Sequence, residues 1–282
     1  MAPPAYGDLG KQARDVFDKG YHFGLQKLDI KTKTASGVEF SNQLNFNQES
    51  GKVFGNIETT HKFKDCGVTF TEKINTDNIF SSTVSIQDKV CKGLKLTVDT
   101  SFAPQTGAKT AKLKTAYIND AAAINCDMDV DRVRPLINAS GVFKYQSWLA
   151  GYQMNFDTQK CSVTKNNLAL GYSGSDFNLH GSVNNGQDFD TSIFQKVSPN
   201  LDYGVSFNWT LGTNNTRCGI GCKYALSEET SIRTKINNAF QVGLGYQQKL
   251  HDGVTLTLSA LIDGKNFNGG SHKFGFGFEI TA

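Results

Sequence analysis

The chain has 282 residues, of which 38% are hydrophobic, and it contains 28 Gly but only 5 Pro. No stretch approaches the roughly 18 consecutive apolar residues of a transmembrane helix, whereas a transmembrane strand needs only alternate apolar positions over about 9–11 residues. A formal net charge of +3 is too small to indicate nucleic-acid binding and leaves a mild preference for anions.

The N-terminal segment predicts a short amphipathic helix that ends in a glycine hinge. Apolar residues recur there at helical spacing, with charged and polar residues between them: Leu9, Ala13, Val16 and Phe17. Gly20 and Gly24 follow, and their backbone freedom would let the helix pivot or fold inward. Spacing alone leaves open whether this helix caps an edge of the protein or lies inside a pore. We expect residues 1–24 to form the helix and hinge, and residues 25–282 the main domain.

From about residue 25 to the C-terminus, apolar residues alternate with polar ones, which is the pattern of half-exposed β-strands. A typical apolar set consists of Trp148, Ala150, Tyr152, Met154 and Phe156. Turn-rich stretches such as TASG, NNGQ, GTNN and HDG separate these segments. The chain closes on the same alternation in HKFGFGFEITA, where phenylalanines alternate with glycines. The main domain is therefore predicted to be all-β.

One apolar face per strand, repeated over most of the chain, exceeds what one sandwich can bury. The opposite face mixes Gly, Ser, Thr, Asn and Lys and has no core pattern of its own. A closed sheet with its apolar face in lipid and its polar face lining water explains both faces, because closure pairs every backbone group in the bilayer. The alternation by itself also fits a soluble β-sandwich or β-solenoid.

Glu72 interrupts the apolar face of its strand. In VTFTEKI the apolar positions are Val68, Phe70 and Ile74, and Glu72 lies between them. A carboxylate facing lipid is costly, so Glu72 is a candidate functional residue. A register break or bulge would instead turn it inward.

The sequence contains no recognisable catalytic or metal-binding arrangement. The six cysteines include no CxxC pair, and Cys126, Cys218 and Cys222 fall on apolar positions, which predicts small buried side chains. The five histidines have no consistent partners, and GLG and GFG are not GxGxxG loops. The N-terminus lacks the apolar core and cleavage site of a secretory signal. We therefore expect no enzyme, no metal, no required cofactor and no nucleic-acid partner.

Several longer stretches closely resemble the mitochondrial voltage-dependent anion channel family. They include APPAYGDLGKQARDVFDKGYHFGLQKLDIKTKT, TFTEKINTDN, WLAGYQMNFDT, KINNAFQVGLGYQQKL and LTLSALIDGKNFNGGSHKFGFGFE, and the resemblance covers essentially the whole chain. It implies a transmembrane barrel of nineteen strands with the first and last parallel, and a helix inside the pore. It also implies a voltage-gated, weakly anion-selective channel of the mitochondrial outer membrane that passes small ions and metabolites including ATP and ADP. A specialised isoform with cation-leaning selectivity and weak gating is the alternative.

The resemblance also implies weak nucleotide sites in the pore. Basic residues at the matching positions would contact ATP: Lys11, Lys19, Lys95, Lys112 and Lys114. Ammonium groups suit this task because they are mobile point charges that need no rigid phosphate cradle. A weak nicotinamide dinucleotide (NADH) site is implied at Gln241, Val242, Gly243, Ser259, Ala260, Leu261, Ile262 and Asp263. Gln241 departs from the apolar residue expected at its position.

Three further roles are predicted. Gating is assigned to the helix and hinge at Leu9, Arg14, Asp15, Val16, Phe17, Gly20 and Gly24. The resemblance implies hexokinase binding and homo-oligomerisation at Glu72. It also implies an outer-membrane sorting signal at Lys273, Gly275, Phe278 and Ile280.

Selectivity is predicted to come from many weak charges rather than from one binding site. The alternation places twelve basic residues on the water-lined face: Lys27, Lys31, Lys33, Lys62, Lys64, Lys95, Lys112, Lys114, Arg217, Lys223, Arg233 and Lys235. Acids such as Asp29 and Asp99 share that face. A modest basic excess favours anions without holding them tightly enough to prevent their exit.

Overall fold

The architecture is a closed barrel of nineteen β-strands with a short N-terminal helix. A computed structural model describes residues 2–63, 66–130, 135–213, 215–270 and 272–282. One 3-10 turn (Tyr6–Asp8) precedes helix α1 (Lys11–Asp18). The strands are β1 (Leu25–Lys33), β2 (Glu39–Asn47), β3 (Val53–Phe63), β4 (Val68–Asn75), β5 (Phe80–Gln87), β6 (Leu94–Ala103), β7 (Ala108–Ile118), β8 (Ala122–Asp129), β9 (Leu136–Tyr145), β10 (Trp148–Asp157), β11 (Ser162–Ser173), β12 (Phe177–Asn184), β13 (Asp188–Ser198), β14 (Leu201–Thr210), β15 (Thr216–Ala225), β16 (Thr230–Asn237), β17 (Gln241–His251), β18 (Val254–Asp263) and β19 (Lys273–Thr281).

Each strand pairs with its sequence neighbours in antiparallel fashion, and the sheet closes where β1 meets β19. That last pairing is parallel, with Leu28 opposite Phe278 and Ile30 opposite Ile280. Closure leaves no unpaired sheet edge, as a sheet in a bilayer requires. The predicted strand number and the parallel seam are confirmed, and the sandwich and solenoid alternatives are excluded.

The outward face is apolar and uncovered. Phe143 is 61% exposed and Leu170 is 65% exposed, and both lie among many large apolar side chains on this face. Such continuous apolar exposure belongs in lipid rather than water. Among the described residues, no helix combines the length and apolar character needed to cross a membrane.

The prediction that three cysteines have buried side chains is wrong. Cys126 and Cys218 are exposed on the outward face, and Cys222 is half-buried. All three do lie on the apolar face of their strands. In a barrel of this kind that face meets lipid, so these side chains are not enclosed by protein.

The N-terminal segment lies inside the barrel. Residues between Tyr6 and Phe23 contact strands from β9 round to β19, all on the same face of the sheet. Only a segment in the interior can touch so much of the circumference from one side. The helix is therefore in the pore, as the resemblance implied, and β1 begins directly after Gly24.

Candidate functional site: the pore and its helix

The pore wall is built from alternate residues of every strand, and it carries nearly all of the charge of the described strands. In the described strands, only Glu72 and Lys109 place a charged side chain on the outward face. Seventeen basic residues face inward: Lys27, Lys31, Lys33, Lys62, Lys73, Lys95, Lys112, Lys114, Lys144, Lys165, Lys196, Arg217, Lys223, Arg233, Lys235, Lys249 and Lys273.

Twelve acidic residues face inward in the same strands: Asp29, Glu39, Glu58, Asp99, Asp127, Asp129, Asp157, Asp188, Asp190, Asp202, Asp263 and Glu279. The wall thus has an excess of five basic residues. The predicted inward-facing basic residues are all on this face except Lys64, which lies outside the described residues.

An apolar pocket anchors the start of the N-terminal segment. Leu9 is 2% exposed and packs against Val142, Leu149 and Ala169 of the wall, with Tyr6 beside it. We call the three wall residues the anchor pocket. Leu9 lies between the 3-10 turn and α1, not within α1 as its helical spacing suggested, because Gly10 adopts a left-handed conformation (φ 69°) before the helix begins. Val142 and Leu149 are apolar side chains at inward positions, and this signal is visible in the sequence.

The helix rests on a track of glycines. A Cβ on Gly204 would lie 3.3 Å from both Val16 and Phe17, and one on Gly221 would lie 3.1 Å from Val16. Val16 is buried and Phe17 is half-buried against this track. Glycines in β14 and β15 therefore bring the helix backbone close to the wall, since any side chain there would occupy the space of Val16 and Phe17.

The hinge is docked onto the wall. Gly20 and Gly24 have φ values of 77° and 71°, which glycine adopts without strain. Between them, the backbone N–H of His22 donates to Ser259 Oγ at 2.9 Å, and Gly24 donates to the carbonyl of Phe274 at 3.0 Å. These bonds fix the path of the chain from α1 into β1.

The two glycines of β19 that face the pore make room for His22. A Cβ on Gly275 would overlap the carbonyl oxygen of His22, and one on Gly277 would lie 2.6 Å from its imidazole ring. Burial, and next the nearby Lys27, lower the pKa of His22. The imidazole is therefore neutral at pH 7.

Polar contacts hold both ends of the helix. Gln12 accepts a hydrogen bond from Asn178 of β12. At the other end, Lys235 Nζ donates to the carbonyl of Phe17 at 2.5 Å, and Arg233 Nη1 donates to that of Asp15 at 3.3 Å. Arg14 is exposed to the pore and donates to the carbonyl of Gly7 at 2.5 Å.

The five candidate nucleotide lysines fall into two separate groups. Lys11 and Lys19 are on or beside α1, which packs against β13, β14 and β15. Lys95, Lys112 and Lys114 are on β6 and β7, seven strands round the barrel from β14. The five lysines therefore do not form one cluster on the wall.

Four of these lysines already contact a carboxylate. Lys11 pairs with Asp8 at 3.1 Å, Lys19 with Asp15 at 2.7 Å, Lys112 with Asp129 at 3.3 Å and Lys114 with Asp99 at 2.7 Å. Among the described residues, Lys95 makes no ion pair. A phosphate arriving at the other four must compete with a neighbouring acid.

The candidate dinucleotide residues lie on one hairpin, but not on one face. Gln241 pairs with Asp263, Val242 with Ile262 and Gly243 with Leu261 across β17 and β18. Five of the eight face the pore: Gln241, Gly243, Ser259, Leu261 and Asp263. The side chains of Val242, Ala260 and Ile262 point to the lipid side, out of reach of a ligand in the pore.

Glu72 lies on the outward face of β4, opposite Thr59 on one side and Ser82 on the other. The register of β3, β4 and β5 runs without a shift, so no bulge turns it inward. Its carboxylate is exposed and shares an outward groove with Ser82, Thr100 and Lys109. The two outward charges of the described strands therefore line the same groove.

The candidate sorting residues all lie on the closing strand. Lys273 and Gly275 face the pore, and Lys273 Nζ pairs with Glu49 at 2.7 Å. Phe278 and Ile280 face outward at the parallel seam.

Comparisons with known proteins agree with this architecture. The eukaryotic porin family model matches residues 2–275. The voltage-dependent anion-selective channel of Drosophila melanogaster is 58% identical over 282 residues, which is all of both chains. The non-selective voltage-gated ion channel VDAC2 of Meleagris gallopavo is 54% identical, over 99% of this chain and 95% of that one. A solved porin of Rhodopseudomonas blastica covers 92% of this chain at 12% identity, but a TM-score of 0.48 is too low to support an argument. The full-length match and the high identity together place the chain in the eukaryotic porin family.

Proposed function

We propose that the protein is a voltage-gated, weakly anion-selective channel of the mitochondrial outer membrane that passes small ions and metabolites, including ATP and ADP. The observation that carries this proposal is the inward charge of the barrel: the described strands place seventeen basic and twelve acidic residues around a pore that also holds a helix. The name of the Drosophila relative, which is 58% identical, supports it.

The distribution of charge explains why selectivity would be weak. Several inward lysines pair with neighbouring acids, such as Lys114 with Asp99 and Lys27 with Asp29 at 2.6 Å. The remaining excess is spread round the wall, so an anion meets a favourable potential without a deep binding site. Favourable entry without tight binding is what conduction requires.

Single-channel recording in a planar bilayer under a KCl gradient, stepped to both polarities, tests this function. We expect a large open state that prefers chloride, and lower-conducting, less anion-selective states at higher voltage. Folded protein that inserts but never conducts would refute the proposal.

A second candidate is a specialised isoform with cation-leaning selectivity and weak gating. The relatives at 52–54% identity are named non-selective voltage-gated ion channels, and this favours keeping the candidate. A reversal potential of the opposite sign in the same recording would select it.

ATP binding in the pore is part of the proposal, without any cofactor being required. Lys95 is the best-placed contact on the wall, since it has no carboxylate partner among the described residues, while Lys112 and Lys114 lie on the adjacent strand. Weak NADH binding would use the inward side of the β17–β18 hairpin, at Gln241, Gly243 and Leu261.

We also propose that residues 1–24 act as a gating unit distinct from the barrel. The docked hinge, the glycine track and the anchor pocket support this division. The apolar outward face implies a lipid bilayer as the surroundings. Assignment to the mitochondrial outer membrane, with Lys273, Gly275, Phe278 and Ile280 as the sorting signal, rests on the family resemblance.

Glu72 is proposed as the site of homo-oligomerisation and hexokinase binding. A carboxylate among lipid-facing side chains is unfavourable unless a partner or water satisfies it. A neighbouring copy of the chain that approaches the outward groove would cover both Glu72 and Lys109.

Replacing Glu72 with glutamine should reduce both associations. The substitution keeps the size of the side chain but removes its charge, so we expect the dimer fraction in liposomes, measured by chemical cross-linking, to fall several-fold. Hexokinase pulled down by the same liposomes should fall in parallel. Glu58→Gln, which makes the same change on the pore face of the adjacent strand β3, is the matched control. Unchanged dimer and hexokinase fractions in Glu72→Gln would remove this role from Glu72.

A further inference from the structure

Two basic side chains of β16 bind the C-terminal end of the pore helix. Arg233 and Lys235 are successive inward residues of β16. Arg233 reaches the carbonyl of Asp15, and Lys235 reaches that of Phe17. The carbonyl of Asp15 also accepts from the backbone N–H of Lys19 at 3.2 Å. Both carbonyls belong to the last turn of α1, where the helix dipole is negative. Both cations therefore stabilise the docked helix.

Arg233 also fixes the hinge. A Cβ on Gly20 would lie 2.8 Å from Arg233 Cδ and 2.9 Å from its Nε, so the guanidinium packs directly on this glycine. Gly20 thus permits a close approach and does not merely supply flexibility. Lys235 Nζ contacts the hinge as well, since it lies 4.3 Å from the ring centroid of Tyr21 and 5.1 Å from that of Phe23.

Neighbouring basic residues of the wall do not share this role. Lys223, opposite Arg233 on β15, lies 4.0 Å from Asp202 and is turned toward that acid. The side chain of Arg217, on the same strand, makes no hydrogen bond or ion pair among the described residues and is exposed to the pore. Arg217 and Arg233 therefore carry the same charge on the same wall, but of these two side chains Arg233 is the one that hydrogen-bonds to the helix.

The segment that would move carries no net charge. Residues 2–20 contain three basic residues, Lys11, Arg14 and Lys19, and three acidic residues, Asp8, Asp15 and Asp18. A voltage therefore does little work on the segment as a unit, because that work scales with net charge. An eight-residue helix is also marginal alone. Contacts with the wall must then set how readily the helix leaves.

We propose that Arg233, supported by Lys235, is the latch that holds the pore helix on the wall and sets the voltage at which the channel closes. This proposal rests on the proposed function, since it specifies what regulates the same channel. Arg233 acts by positioning the helix and hinge.

The test compares three variants of the full chain: Arg233→Gln, Arg233→Lys and the control Arg217→Gln. Both glutamine variants remove one positive charge from the pore wall, so they should alter anion preference to a similar extent. Hydrogen exchange of the amides in residues 11–18, in lipid nanodiscs without voltage, reports docking. Planar bilayer recording reports the ratio of open to closed channels.

For Arg233→Gln we expect the helix amides to exchange about tenfold faster. We also expect the open-to-closed ratio at a given voltage to fall about tenfold. A factor of this size is what the loss of one hydrogen bond to a charged group would produce. Arg217→Gln should leave both within twofold of the unmodified chain. Arg233→Lys, which keeps the charge, should lie between them.

The proposal is overturned if Arg233→Gln matches Arg217→Gln in both measurements, or if exchange accelerates while gating is unchanged. Failure of the channel function itself looks different, because then the unmodified chain would neither conduct nor gate. A misfolded Arg233→Gln variant would be recognised by fast amide exchange in the strands, and Arg233→Lys would then decide the question. Unchanged helix exchange and gating in Arg233→Lys would overturn the proposal. Faster helix exchange together with easier closure would support it.

Discussion

Alanine in place of Gly275 should lift the hinge off the barrel wall. The added Cβ would overlap the carbonyl oxygen of His22, a backbone atom that cannot move unless the linker moves with it. The linker would lose the bond from His22 N–H to Ser259 and the bond from Gly24 to Phe274. Overpacking of this kind costs about 1–3 kcal/mol, and each lost bond adds roughly 0.5–1.5 kcal/mol.

Hydrogen exchange of the amides in residues 20–25 measures this effect directly. We expect exchange at least tenfold faster than in the unmodified chain, since about 1.4 kcal/mol corresponds to a factor of ten. Gly181→Ala is the matched control: Gly181 also lies within a strand, but a Cβ there would meet no atom within 4 Å. Equal exchange in both variants would mean that the hinge does not depend on the bare face of β19.

The role of these glycines shows what the sequence could not reveal. Alternation in HKFGFGFEITA correctly placed the phenylalanines outward and the glycines inward. Alternation does not show what the inward glycines are for, whereas in the structure Gly275 and Gly277 make room for His22. A contact between residue 22 and residue 275 depends on where the closed barrel places the N-terminal segment, and local spacing does not contain that information.

The closed barrel was accessible to sequence reasoning, but its strand number and the pairing at its seam were not. The alternation of apolar and polar residues distinguishes the face of each strand that meets lipid from the face that meets water. One apolar face on every strand predicts a closed sheet. The number of strands and the parallel seam between β1 and β19 came only from the family resemblance. Pairing of the first strand with the last leaves no trace in either strand's own pattern.

Charge pairing was missed for a similar reason. Alternation placed Lys112 and Lys114 on the pore wall, but their partners Asp129 and Asp99 become visible only once the register of β6, β7 and β8 is known. By contrast, the anchor pocket was within reach of the sequence. Val142 and Leu149 are apolar residues on a water-facing position, which signals that something covers them.

Removal of residues 2–20 should abolish voltage gating and raise the open conductance. The segment occupies the pore interior against the anchor pocket and the glycine track, so its loss widens the path for ions. The barrel strands remain complete, because β1 begins at Leu25. Conductance–voltage curves in planar bilayers give the result, and an unchanged curve would contradict a gating role for the helix.

Selectivity of the same variant separates two explanations of its conductance. The deleted residues carry no net charge, so deletion leaves the formal charge of the channel unchanged. It does uncover Arg233 and Lys235, which bind helix carbonyls in the intact chain. We therefore expect stronger anion preference, and not merely a wider pore.

A glycine–serine segment of equal length, in place of residues 2–20, is the control. It keeps the chain length and the zero net charge but lacks Leu9 and Val16. If it gates like the native chain, the docked helix is not the gate. If it behaves like the deletion, closure depends on the side chains that dock the segment, Leu9 and Val16 among them.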